Sequence, residues 1–94
     1  MTQTQPRHVI RVVERADGSF TPERGLFLAG GDHDAENGRG SFRFTNDSRA
    51  AMQFAESYSA YDFWRKQSTV KPKRPDGKPN RPLTAYTVII EALP

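Results

Sequence analysis

The chain has no cysteine, only two histidines, two methionines and one tryptophan in 94 residues. The first absence excludes disulfides, thiolate metal sites and a cysteine nucleophile, and leaves the redox compartment undecided. Apolar residues make up 35% of the chain and the mean hydropathy is −0.77. No apolar run approaches the roughly 18 to 20 residues that span a bilayer, and Met1 to Arg7 lacks the apolar centre of a signal peptide. A cytoplasmic protein without a membrane segment is therefore expected. With so few histidines, no nucleophile stands near a base and an orienting acid, so the sequence points away from an enzyme and from any cofactor.

What is present is an uneven distribution of charge. Arg65, Lys66, Lys71, Lys73, Arg74, Lys78 and Arg81 fall in one stretch with a lone Asp76, giving it a net charge of +6 against −3 for the rest of the chain. A compact cationic segment on a mildly acidic body is an electrostatic handle for an anionic partner, such as a nucleic acid or an acidic protein surface. Tyr61, Phe63 and Trp64 lie just upstream of it and Tyr86 downstream. Cations beside aromatic faces are the two ingredients of sequence-tolerant single-strand binding, although Tyr61, Trp64 and Tyr86 lie on periodic elements where a core role is favoured. No helix-turn-helix, zinc-finger or RNA-recognition signature accompanies them.

Aromatics at 11% supply enough buried area for one modest core. Residues 1–6 read as a flexible terminus, and residues 7–94 as one α+β domain. His8 to Arg15 is rich in β-branched residues and reads as a strand covered on both faces, followed by an Asp17-Gly18 turn. Phe20 to Ala29 is the return strand, broken or at an edge because of Pro22 and Gly25. Residues 30–40 form an acidic, glycine-rich exposed loop, and Ser41 to Thr45 alternates as a half-solvated strand.

Asn46-Asp47-Ser48 offers a helix cap before a stretch, Arg49 to Gln67, free of glycine and proline. Ala51, Phe54, Ala55, Tyr58 and Tyr61 form its apolar stripe, and Ser59 with Asp62 leaves open one kinked helix or two short ones. Four prolines in residues 69–82 predict an extended, polyproline-like basic loop with a turn at Asp76-Gly77. Leu83 to Leu93 carries the strongest strand signal and is expected at the sheet centre. The order β-β-β-α-β predicts a three- to four-stranded, mainly antiparallel sheet with helix on one face.

Three smaller constellations stand beside these. Asp32, His33, Asp34 and Glu36 are ligands suited to a divalent cation, yet the glycine and glutamate of a calcium loop are replaced by Asn37 and Arg43, so a solvated acidic loop is the favoured reading, and docking of that loop on the basic segment, which would neutralise part of its charge, is the rival. Asn37-Gly38-Arg39-Gly40 presents an arginine between flexible positions but matches no phosphate-loop pattern, and reads first as a tight turn. Two PxxP matches, at Pro72 to Pro75 and Pro79 to Pro82, together with an exposed sheet edge, would suit a protein-interaction or assembly module.

Phe63-Trp64-Arg65-Lys66-Gln67-Ser68 and the run from Arg74 to Tyr86, with Asn37 to Gly40 and Phe44 to Asp47 upstream, resemble small uncharacterised proteins of bacteriophage and prophage regions. The resemblance extends from about Leu28 onward. It implies a bacterial cytoplasmic setting and a short accessory protein, and it transfers no functional residue.

Overall fold

The computed structural model describes residues 7–93; the terminus expected to be flexible, residues 1–6, lies outside them. Four strands, β1 (His8–Arg15), β2 (Phe27–Asp32), β3 (Ser41–Thr45) and β4 (Tyr86–Ala92), form one antiparallel sheet in the order β3-β2-β1-β4. A single turn of helix, α1 (Ala35–Gly38), links β2 to β3, the helix α2 (Ser57–Trp64) follows β3, and a 3-10 turn (Pro82–Ala85) leads into β4. This is an α+β layer. No helix among the described residues is long and apolar enough to cross a membrane.

Alternation along β1 sorts its side chains onto two faces. Ile10 and Val12 pair with Ile90 and Val88 of β4, and Ile10, Leu28, Ala60 and Leu83 form the main core, under Phe42, Phe44, Phe63 and Trp64. On the reverse face Val9, Phe27 and Ala51 form a smaller cluster with Leu93. Truncating Leu28, fully buried between sheet and helix, to alanine costs about 2–5 kcal/mol.

Four expectations are corrected. β4 is an edge strand and β2 an interior one. The apolar run of β4 leaves Ile89 48% exposed, because its reverse face is covered only in part, while Pro22 and Gly25 fall in turns before β2 begins. Second, residues 49–56 are not helical: Phe54 exchanges backbone hydrogen bonds with His8 and the Met52 amide donates to Leu28, so the sheet takes the backbone groups a helix would use. The helix therefore starts at Ser57 with Ala60 inward, and Tyr58 and Tyr61, placed on the apolar stripe from sequence, point outward. Asp47 instead holds a turn, accepting from the Arg49 amide at 2.9 Å.

Third, the expected exposed loop 30–40 contains the end of β2, a buried His33 and a buried Gly38. Fourth, the proline-rich segment is not a polyproline helix. Arg74 and Lys78 pair across a turn at Pro75-Asp76-Gly77, and the Asn80 amide donates to the Pro72 carbonyl, making a small two-stranded ribbon. Pro79 faces Lys73 in that ribbon at a position whose nitrogen has no bond to make.

Candidate anion-binding surface

Two connections hold the ribbon to the body. Asp34 accepts from the Ser68 hydroxyl at 2.8 Å, the Thr69 amide at 2.6 Å, the Thr69 hydroxyl at 2.6 Å and the Val70 amide at 3.3 Å. Those bonds, the Thr69 hydroxyl first, hold its carboxyl well below the usual carboxylate range. On the other arm the Asn80 amide group donates to the Gly38 carbonyl at 2.7 Å and to the Lys71 carbonyl at 2.9 Å. Gly38 makes this approach possible: its φ is +85°, and a Cβ there would lie 2.5 Å from the Lys71 Cβ. Glu36 and Asn37 are left-handed as well, with φ of 54° and 55°, so α1 is a sharp turn shaped to meet the ribbon.

The acidic loop thus docks on the basic segment, through hydroxyls and amides and not through its cations. Among the described residues the ion pairs are Arg11–Glu91, Arg49–Asp47 and Arg74–Asp76. Lys71, Lys73 and Lys78 are in none of them, and residues 69–79 are all exposed. The Arg74–Asp76 pair closes the ribbon tip, and the Arg74 hydrogen bonds hold the Asp76 carboxyl below its ordinary value.

Two concavities flank the ribbon. One, of about 120 Å³, is lined by Arg39, Lys71, Lys73 and Arg74 together with Gly38 and Asn80. The other, of about 450 Å³, lies between α2 and the ribbon, lined by Tyr61, Trp64 and Arg65 at the end of α2 and by Arg74, Lys78 and Arg81. Trp64 is oriented by its indole N–H, which donates to the Tyr86 carbonyl at 3.1 Å, and its ring centroid lies 5.7 Å from that of Tyr61. The Arg65 guanidinium lies 5.5 Å from the Tyr61 ring.

Of the residues expected from sequence, Trp64, Arg65, Lys71, Lys73, Arg74, Lys78 and Arg81 line these two concavities. Lys66 is exposed outside their lining. Tyr86 is corrected: its ring packs edge-on against Phe44 at 5.6 Å, and burial pushes its phenol pKa up. Arg39 and Tyr61 join the surface. Arg39 was legible as an arginine in a glycine turn; Tyr61 was legible as an aromatic beside the cations, but the helical stripe placed it in the core, and the observed helical phase turns it outward.

The metal-ligand candidates do not converge, and among the described residues no group of three His, Asp or Glu side chains is placed to hold a metal. Asp34 is engaged with the ribbon, while His33 is only 3% exposed. Its Nε2–H donates to the Phe63 carbonyl at 2.9 Å, capping the C-terminus of α2, between the rings of Phe42 and Phe63. Burial first, with help from nearby Lys66, pushes its pKa down. Comparison of the chain with protein-family models, with curated proteins and with solved structures returns no match.

Proposed function

We propose that this chain is a non-enzymatic protein that binds the backbone of a nucleic acid through its basic ribbon. The observation that carries the reading is the way the ribbon is held: both oxygens of Asp34 are occupied by Ser68, Thr69 and Val70, so the segment is fixed in place while its lysines stay exposed. Nucleic acid is favoured over an acidic protein surface because Tyr61 and Trp64 stand beside the cations. The resemblance to phage and prophage proteins suggests a bacterial cytoplasmic setting.

Fluorescence anisotropy with labelled single- and double-stranded DNA and RNA tests this, using the wild type and a Lys71→Glu, Lys73→Glu, Lys78→Glu triple variant. Binding at low salt that the variant abolishes is expected. Absence of binding to every nucleic acid overturns the reading and turns attention to an acidic protein partner. A second reading, pairing of edge strand β4 with another chain, draws on the 48% exposure of Ile89. Light scattering that finds only a 10.6 kDa monomer at high concentration counts against self-assembly.

A further inference from the structure

We infer that the concavity between α2 and the ribbon receives an unstacked base of a single-stranded nucleic acid, with neighbouring phosphates on Lys78 and Arg81. This rests on the nucleic-acid reading and adds to it a preference for strands whose bases are accessible. Its volume of about 450 Å³ falls within the roughly 300–1,000 Å³ of small-molecule sites.

Tyr61 is the main ground for the inference. It is 44% exposed on the outward face of a helix whose inward face is Ala60, and it contributes to neither hydrophobic cluster. Beside it Trp64 is fixed by the hydrogen bond to the Tyr86 carbonyl and tilted 45° to the Tyr61 ring, over which the Arg65 guanidinium lies, so the α2 side of the cleft is an angled aromatic wall in which Trp64 is already in place. Opposite stand cations on a ribbon that is itself pinned at Asp34 and Asn80. Every base has a π-face that such a wall accepts, whereas the bases of a duplex remain in their own stack. Preorganisation of Trp64 and of the ribbon lowers the ordering cost of binding.

The test uses the intact protein and three probes of equal length: oligo(dT), an abasic strand carrying the same phosphates, and a duplex. Trp64 is the sole tryptophan, so its emission reports on the cleft while anisotropy reports affinity. Oligo(dT) is expected to quench Trp64 and to bind about five- to a hundred-fold more tightly than the abasic strand. Tyr61→Ala should reduce oligo(dT) to the abasic level with its salt dependence unchanged, and Tyr61→Phe should restore the difference. Equal affinity for oligo(dT) and the abasic strand, or a duplex bound as tightly as oligo(dT), overturns the inference and leaves backbone binding standing. Failure of all three probes to bind at low salt overturns both.

Discussion

Asp34 and His33 are neighbours in sequence and face opposite ways, and each controls one attachment of the surface. Asp34→Asn removes an acceptor from the Thr69 and Val70 side of the clasp. Faster hydrogen exchange at the Thr69 and Val70 amides is expected, along with weaker nucleic-acid binding; unchanged exchange would contradict the role assigned to the carboxylate. Because folding depresses the Asp34 pKa, its contribution is fully present above the ordinary value of 3.8, declines as pH falls below that value and is lost once pH has fallen through the lowered one.

His33 has the opposite charge logic and the same direction of pH dependence. The unfolded imidazole takes up a proton near pH 6.5, while burial keeps the folded one neutral to lower pH. Stability is then complete above that value and falls below it, by at most about 1.4 kcal/mol per pH unit. Urea midpoints at about pH 7.5 and about pH 5.5 check this: His33→Gln should flatten the dependence, and an unchanged dependence would rule the assignment out.

At the scale of elements, Gly38 is where the α1 turn and the ribbon meet. Gly38→Ala places a Cβ 2.5 Å from the Lys71 side chain and 3.1 Å from the Ser68 hydroxyl at a φ of +85°. A local cost of at least about 1 kcal/mol is expected, read as increased exchange at Lys71 and Asn80 and reduced affinity; a variant with wild-type exchange there would contradict the docking. β1 and β3 were legible because alternating β-branched and aromatic residues report which faces are covered. β2 was partly hidden, since Gly30 and Gly31 have no side chain to carry the pattern. Residues 49–56 follow a helical period, yet their backbone groups bond to His8 and Leu28, distant partners that no local window contains. The cations of the surface were legible from charge alone. Their division between two concavities was not, because it depends on the ribbon turn and on Asp34 reaching across 34 or more positions in sequence.

For the molecule as a whole, the charge asymmetry survives folding. The acidic loop holds the basic ribbon without pairing its lysines, so the cations of Arg39, Arg65, Lys71, Lys73, Lys78 and Arg81 remain available to polyanions. Binding that releases counterions makes log K fall linearly with log salt, by about 0.7 for each single-strand phosphate neutralised. Four such contacts give a slope of roughly −3. The most direct measurement is the affinity for one mixed-sequence single strand between roughly 50 and 200 mM salt. A linear decline with a slope of about −2 to −4 is predicted, and an affinity that does not change across this range, or no binding at its lower end, would contradict the account.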